Sequence, residues 1–242
     1  MTMIDGNDLS AMLLDNFCLR VVEPAIYSVL PENDSDSAYD TSFGSIYDWV
    51  ACSPIYNRLV WGYSIKIFPQ LAGEALCSCQ DGPVLDLGCG SLAFTAQIYD
   101  QYTQRPAVLM DRSLKMLRMA KARVMKRNGK VPDNLLFLQA DALYLPFKEQ
   151  SFSTILCENL LHCLGDTRPL LQQTNAILSK NGRMYFTTLV KAGRLADYYL
   201  EALAGCGKLV SRTASDHKVI FEKIGLPAKY DIQGNILAIY CQ

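Results

Sequence analysis

The chain has 242 residues, 50% of them hydrophobic and 19% charged, and its formal net charge at pH 7 is −1. This length suits one large domain or one domain with an appended segment, and the composition excludes global disorder. The small net charge gives no general attraction to nucleic acid or to an anionic membrane surface, so neither is expected as a partner.

Residues 1–75 are predicted to form an N-terminal helical lid over the rest of the protein. Their first part reads as helical pieces interrupted by a polar loop from Pro31 to Ser45. The aromatic-rich stretch that follows breaks at Pro54 and Pro69, which favours short helices. We expect this lid to cover the substrate of a second domain, formed by residues 76–242.

From Pro83 onwards, short apolar runs alternate with helical patterns. Parallel sheets that are covered by helices on both faces have this alternation, so we predict a doubly wound, Rossmann-like α/β fold. The predicted strands are 84–87, 107–110, 135–139, 152–157 and 183–189, and the predicted helices between them are 93–102, 113–127 and 170–178.

The end of the chain departs from this alternation. A helix at 195–204, within a helical insertion at about 190–215, and a helix at 216–224 are followed by two strand-like segments. Only Gly234 and its neighbours separate these segments, so they can pair only as an antiparallel hairpin. The sheet is therefore expected to end on an antiparallel strand.

The cysteines and histidines do not form a metal-binding pattern. Nine cysteines and two histidines are present, and the closest cysteine pair is Cys77 and Cys79, which lacks the C-x-x-C spacing of zinc sites. The N-terminus is acidic, and no apolar run approaches the ~18 residues of a membrane span. We expect reduced thiols, no metal, no stable membrane insertion and a cytoplasmic location. The sequence leaves the oligomeric state open.

A glycine loop follows the first strand of the predicted sheet. The residues from Gly88 to Ala93 fit the G-x-G-x-x-G/A fingerprint of dinucleotide-binding proteins, and Asp111 ends the next strand. Glycines let a backbone approach a nucleotide closely, and an acid in this position accepts hydrogen bonds from ribose hydroxyls. These features suit several nucleotides, so an NAD-dependent oxidoreductase remains an alternative at this point.

Two further acids favour a different ligand. Asp86 lies two residues before Gly88, where its carboxylate would repel a pyrophosphate but suit a ligand with an ammonium group. Asp141 follows the third predicted strand, where a carboxylate can accept from an adenine amino group. Together with the terminal hairpin, these acids favour a nucleoside that carries an amino acid.

The segments "VLDLGCGSLAFT", "AVLMDRSLKMLRMAKAR", "LQADALYLPF", "FSTILCENLLHCL" and "LSKNGRMYFTTL", in this order, resemble the class I S-adenosylmethionine-dependent methyltransferases. The resemblance covers residues 83–242. It implies a seven-stranded sheet with a reversed last strand, a cofactor across the carboxyl ends of the strands, and methyl transfer that leaves S-adenosylhomocysteine. The acceptor implied is a small molecule, aromatic or hydrophobic.

The resemblance also assigns residues to the cofactor. It implies that the loop holds the methionine moiety, that Asp111 holds the ribose hydroxyls, and that the end of the fourth predicted strand, from Cys157 to Asn159, passes close to the sulfonium. The full set expected to bind the cofactor is Asp86, Gly88, Cys89, Gly90, Asp111, Arg112, Asp141, Ala142 and Glu158.

Two departures from the family pattern bear on activity. Leu92 stands where the family usually has glycine, and "SKNGR" stands where it usually has a Pro-Gly-Gly-like turn. A leucine side chain would crowd the methionine end of the cofactor, which keeps a non-catalytic, cofactor-binding or partner-binding member of the fold as an alternative. The other explanation is helix propensity, because leucine is a better first-turn residue than glycine.

Candidate residues for catalysis lie at and after the end of the fourth predicted strand, and candidates for acceptor binding lie in the lid. His162 is the candidate base, because the family often has a histidine facing the cleft there, and Glu158 is a second candidate or a cofactor contact. The resemblance of the lid to those of quinone-type methyltransferases implies that Tyr47, Tyr56 and Trp61 line the acceptor pocket.

Overall fold

The computed structural model describes residues 3–31, 53–78, 81–101 and 105–242. The strands in these parts of the chain are β1 Arg20–Glu23, β2 Ile26–Ser28, β3 Val84–Leu87, β4 Ala107–Asp111, β5 Leu135–Gln139, β6 Phe152–Glu158, β7 Leu178–Leu189, β8 Ala228–Gln233 and β9 Ile236–Cys241. They form one sheet in the order β1-β2-β5-β4-β3-β6-β7-β9-β8.

The helices lie between the strands and, at the N-terminal end of the chain, before β1. They are α1 Gly6–Met12, α2 Pro54–Tyr56, α3 Ile67–Leu76, α4 Ala96–Gln101, α5 Leu114–Asn128, α6 Arg168–Ile177, α7 Ala196–Gly205 and α8 Ala214–Lys223. A π-helical turn, Asn57–Trp61, continues α2, and a 3₁₀ turn, Leu161–Cys163, follows β6. No helix in the described parts of the chain combines the length and apolarity that a membrane span requires.

The centre of the sheet is parallel and covered on both faces. β3 pairs in parallel with β4 on one side and β6 on the other, and every residue of β3 is buried. Such a reversal of strand order opens a crevice at the carboxyl ends of the strands, where ligands bind in open α/β sheets. The doubly wound α/β prediction is confirmed, as are the antiparallel β8 and β9 at the sheet's end.

The sheet has nine strands in the described residues rather than the seven expected, and the N-terminal segment is not wholly helical. β1 and β2 form a hairpin, and β2 extends the sheet by pairing in parallel with β5. Ile26 on β2 is buried in the sheet's core, and Arg118 of α5 forms a salt bridge with Glu23. The strands are short and their turn contains Pro and Ala rather than Asn or Gly, so the hairpin has no strong local signature.

The second departure, "SKNGR", is part of a strand. β7 begins at Leu178, so the chain continues in extended conformation where a separate turn was expected. Phe152 of β6 pairs with Leu178 and Thr154 pairs with Arg183, so the residues between these partners bulge out of the β6–β7 ladder. The division of the chain at residue 75 stays a prediction.

Candidate functional site

The glycine loop between β3 and α4 presents open backbone at the carboxyl edge of the sheet. Gly88 and Gly90 have φ values of +74° and +54°, a region that glycine enters without the strain of a side chain. A Cβ at Gly88 would lie 3.2 Å from the Leu160 side chain, whereas a Cβ at Gly90 would meet no atom within 4 Å. The backbone at Gly90 is therefore open to close approach by a ligand.

Leu92 points into the core and not into the mouth of the loop. Its side chain is 2% exposed and belongs to the hydrophobic cluster that contains Leu71 of α3 and Tyr99 of α4. Its φ is +54°, in the left-handed region that favours glycine, and α4 begins only at Ala96. Both expectations about Leu92 are therefore wrong: the side chain does not crowd the loop mouth, and the residue is not in a first helical turn.

Asp86 is a buried carboxyl group held by a tyrosine. The Tyr99 hydroxyl donates a hydrogen bond of 2.6 Å to Oδ2 of Asp86, whose side chain is 3% exposed. Burial raises the pKa of Asp86 to about 7, the Tyr99 hydrogen bond opposes this rise, and the negative charge of Asp111 adds to it. Sequence reasoning did not select Tyr99, although its signal was a tyrosine on the apolar face of the helix after the loop.

Asp111 connects the glycine loop to the next helix. Its Oδ2 accepts a 2.9 Å hydrogen bond from the backbone N–H of Gly90, and its Oδ1 accepts one of 2.8 Å from the N–H of Ser113. Ser113 is the N-cap of α5, and its hydroxyl accepts from the N–H of Met116. Carboxylate oxygens can each accept more than one hydrogen bond, so this arrangement leaves acceptor capacity toward a ligand.

Arg112 and Asp141 form an ion pair at the ends of β4 and β5. Asp141 also accepts a 2.8 Å hydrogen bond from the N–H of Leu143, and Gln139 donates one of 3.1 Å to the carbonyl of Arg112. Ala142 follows Asp141 and is half-buried. The structure thus brings together the residues predicted beside the ribose and the adenine.

Two side chains at the end of β6 have polar atoms without partners. Oε1 of Glu158 and Oδ1 of Asn159 are buried and make no hydrogen bond to the described residues. Burial raises the pKa of Glu158 well above its ordinary value, and the charge of Asp86 adds to this rise. Buried polar groups in folded proteins are nearly always paired, so these two atoms fit a site whose polar partners come from a bound ligand.

His162 lies in the 3₁₀ turn after β6 and is buried. Its Nδ1 accepts a 3.2 Å hydrogen bond from the backbone N–H of Leu189, an interaction that requires an unprotonated Nδ1 and places the proton of a neutral ring on Nε2. Burial, then the charges of His217 and Arg212, lower the pKa of His162 to about 4. This geometry joins the turn to the end of β7 and leaves neither ring nitrogen suited to accept a proton from a substrate.

The aromatic candidates of the lid are only partly described. Tyr47 lies outside the described residues. Trp61 is buried beside α7, its ring centroid is 5.5 Å from that of Tyr199, and its carbonyl accepts a 2.9 Å hydrogen bond from the N–H of Asn235. Tyr56 is half-buried, and burial together with a hydrogen bond to Tyr199 raises its pKa to about 12. Trp61 thus packs against α7 and its carbonyl supports the β8–β9 turn, while the roles of Tyr56 and Trp61 in acceptor binding stay predictions.

Three acids of the site lie at the carboxyl ends of the strands beside the glycine loop. Asp86, Asp111 and Glu158 lie on the adjacent strands β3, β4 and β6, and Asp86 interacts electrostatically with both of the others. A ligand with cationic groups relieves the repulsion among these carboxylates. S-adenosylmethionine has an ammonium and a sulfonium, so the residues present fit the cofactor that the sequence indicates.

Comparisons with known proteins indicate the same family as the sequence segments. A family described as "Methyltransferase domain" matches residues 80–224. The malonyl-(acyl-carrier protein) O-methyltransferase of Legionella pneumophila is 29% identical over 44% of this chain and 36% of that protein. The ubiquinone/menaquinone biosynthesis C-methyltransferase UbiE of Cellvibrio japonicus is 27% identical over 74% of this chain and 75% of that protein.

The fold is also shared with solved structures. A SAM-dependent methyltransferase from Aquifex aeolicus superposes with a TM-score of 0.58 at 14% identity, over 81% of this chain and 96% of that one. The match to the Legionella protein spans only about a third of that relative's length, whereas the family match spans more than half of this chain. The chain therefore belongs to the class I S-adenosylmethionine-dependent methyltransferases, whose cofactor is S-adenosylmethionine.

Proposed function

We propose that this protein transfers a methyl group from S-adenosylmethionine to a small aromatic or hydrophobic acceptor. The observation that carries this proposal is a group of three carboxyls on adjacent strands beside the open backbone at Gly90, with Asp86 buried and Asp111 and Glu158 half-buried. The acceptor class is supported by the relative UbiE, which is named as a quinone-biosynthesis C-methyltransferase and matches three quarters of both chains.

The residues of the loop and the strand ends have separate roles in binding. In this proposal Asp86 pairs with the ammonium group of the methionine moiety, and the backbone of Gly88, Cys89 and Gly90 lies against that moiety. Asp111 accepts from the ribose hydroxyls with the acceptor capacity that remains on its two oxygens. Arg112, Asp141 and Ala142 hold the adenosine end.

The chemistry needs alignment, exclusion of water and a group that holds the acceptor's proton. The bound cofactor supplies the methyl group on a sulfonium, whose positive charge disappears as the methyl leaves. Oε1 of Glu158 is buried and unpartnered, and the raised pKa of Glu158 makes it a stronger base than an exposed carboxylate. We assign the proton-holding role to Glu158, and to His162 the fastening of the turn after β6.

Binding measurements distinguish this proposal from an oxidoreductase. Isothermal titration calorimetry with S-adenosylmethionine, S-adenosylhomocysteine and NAD should give heat for the first two and none for NAD. The physical reason is that Asp86 repels a pyrophosphate and attracts an ammonium. Binding of NAD in preference to S-adenosylhomocysteine would contradict the proposal.

Transfer assays distinguish an enzyme from a non-catalytic member of the fold. We expect methylation of at least one acceptor in a panel of quinols, phenols, catechols and carboxylates, because the burial of Leu92 leaves the loop mouth open. Tight binding of S-adenosylmethionine without transfer to any member of a broad panel would favour the non-catalytic alternative.

Two variants test the assignment of the base. Glu158→Gln should lower kcat by about 10²–10⁴ while the Kd for S-adenosylhomocysteine changes little, as expected when a general base is lost. His162→Asn keeps an acceptor for the N–H of Leu189 and serves as the matched control, with kcat close to that of the wild type. A weaker Kd with unchanged kcat in Glu158→Gln would instead make Glu158 a cofactor contact.

The proposal includes a small-molecule acceptor, no binding of nucleic acid, and a cytoplasmic location. Several bases on and after α5 already have partners within the chain: Arg118 pairs with Glu23, Lys121 donates to the carbonyl of Pro24, and Lys130 pairs with Asp133. These contacts support a solvated structural face rather than a polyanion site. A mobility-shift assay with DNA and RNA should show no complex at physiological salt.

A further inference from the structure

We propose that Tyr99 is a positioning residue that holds the Asp86 carboxyl toward the ammonium group of the cofactor and favours its ionised form, and that cofactor binding completes this ionisation by releasing a proton from Asp86. This inference rests on the proposed function, because it concerns the same cofactor site. It adds a residue that the motifs do not include and predicts that affinity for the cofactor depends on pH.

The contact between the two side chains is short and shielded from water. The Tyr99 hydroxyl lies 2.6 Å from Oδ2 of Asp86, and the Tyr99 side chain is 1% exposed. Tyr99 is on α4, directly after the glycine loop, and is packed in the hydrophobic cluster that contains Leu92 and Leu71. The ring is therefore fixed by packing, and its hydroxyl fixes one oxygen of the carboxyl group.

The other groups that act electrostatically on or with Asp86 are acids and thiols. They come from the glycine loop and from the ends of β4 and β6, and they are Cys89, Asp111, Cys157 and Glu158. Burial raises the pKa of both thiols well above the ordinary value, so the thiols stay neutral. The negative charge of Asp111 therefore disfavours ionisation of Asp86, and the Tyr99 hydrogen bond favours it.

Without the cofactor, these opposing effects leave Asp86 close to half protonated at neutral pH, since its pKa is raised to about 7. An ammonium group pairs with the ionised carboxylate and not with the neutral acid. Affinity should therefore fall as the pH falls through 7, and linkage gives about tenfold weaker binding at pH 6 than at pH 8. At pH 7 about half a proton should be released for each ligand bound.

The test is calorimetry with S-adenosylhomocysteine between pH 6 and pH 9, in two buffers of different ionisation enthalpy. Tyr99→Phe removes the hydroxyl and keeps the ring, while Tyr185→Phe is the matched control: Tyr185 is a buried tyrosine of the same hydrophobic cluster, on β7, whose ring contacts Tyr240. In Asp86→Asn, Asp111, Glu158 and the ligand still titrate as they do with the wild type. The difference in pH dependence of affinity between this variant and the wild type therefore reports the titration of Asp86 alone. Thermal unfolding confirms that each variant is folded.

For Tyr99→Phe we expect the pH midpoint to rise by about one unit, because a hydrogen bond to the ionised form is lost. Affinity should then be about fivefold weaker than in the wild type at pH 7, with less than a twofold difference at pH 9. Tyr185→Phe should follow the wild type throughout. Asp86→Asn should bind weakly, with no pH dependence beyond the ligand's own.

Three results would overturn the inference. They are a wild-type affinity as independent of pH as that of Asp86→Asn, a Tyr99→Phe curve that coincides with the wild type, and a Tyr99→Phe curve that is weaker by the same factor at every pH. The last result would mean that Tyr99 acts through packing alone. If the wild type does not bind S-adenosylhomocysteine at any pH, the proposed function itself is wrong, and this outcome is separate from the other three.

Discussion

Replacing Asp86 with asparagine should make the protein without ligand more stable, although it removes a residue of the cofactor site. Asp86 is buried, and its pKa rises from 3.8 in the unfolded chain to about 7 in the fold. The folded protein therefore holds a proton that the unfolded chain releases, and the stability of the wild type falls as the pH rises from about 4 to 7. An amide has no charge to bury, so the variant does not lose stability as the pH rises through this range.

The magnitude follows from the size of the shift. About three pKa units correspond to about 4 kcal/mol when the carboxyl is fully ionised, near pH 8, and to about 2 kcal/mol at pH 5. Burial of the asparagine amide changes the free energy of unfolding by an amount that does not depend on pH. The prediction is therefore that the stability of Asp86→Asn relative to the wild type grows by about 2–3 kcal/mol from pH 5 to pH 8.

Urea unfolding at pH 5, 6, 7 and 8 measures this difference. A control of opposite sign is Asp216→Asn, because the Asp216 carboxylate accepts from the N–H and hydroxyl of Thr213 and its pKa is lowered by these bonds. This control should be less stable than the wild type by about 1 kcal/mol at pH 8, the usual effect of a lost helix cap. The reasoning fails if the stability gain of Asp86→Asn stays constant or shrinks between pH 5 and pH 8.

Substitutions at three further positions probe the loop, the ribose site and the opposite edge of the sheet. Leu92→Ala should lower the free energy of unfolding by about 2–5 kcal/mol. Leu92→Gly should lower it by about 1 kcal/mol less, because glycine adopts the left-handed backbone conformation at this position without strain. A lower melting temperature for Leu92→Gly than for Leu92→Ala would contradict this. Asp111→Ala should weaken S-adenosylhomocysteine binding by about 1–3 kcal/mol, and unchanged affinity in calorimetry would mean that the ribose assignment is wrong. Arg105 donates to the carbonyl of Gly82 and to Oγ of Ser153, so Arg105→Met should lower the free energy of unfolding by about 2–4 kcal/mol. Its affinity for S-adenosylhomocysteine should not change, since Arg105 precedes β4 and lies away from the carboxyl edge; a large loss of affinity would contradict this placement.

Several local features could be predicted from the sequence because they depend on short stretches of chain. The apolar run from Val84 to Leu87 is a buried strand with the predicted bounds, and the helix Leu114–Asn128 lies within one residue of the predicted bounds 113–127. The short link at Gly234 allowed only an antiparallel hairpin, which is present. In each case one pattern sufficed, because the period or the link length admits a single local structure.

Other features could not be predicted from the sequence because they depend on residues that are distant along the chain. Ile26 is a strand residue because it pairs beside Phe137 of β5, and no local signal indicates that partner. His162 was predicted to be a base from its place after a strand. In the fold, the N–H of Leu189 on another strand sets the tautomer of its ring.

The sequence by itself determined the α/β alternation, the glycine loop and the acids at the strand ends, because parallel strands bring their carboxyl ends to one edge whatever the details of packing. Only the tertiary structure decided the state of those acids. Whether Asp86 is ionised depends on its burial, on the Tyr99 hydroxyl and on the charge of Asp111, and these groups meet only when the helix and the neighbouring strands are packed. Residue type fixes which charges are available, but distance and desolvation fix how strongly they act.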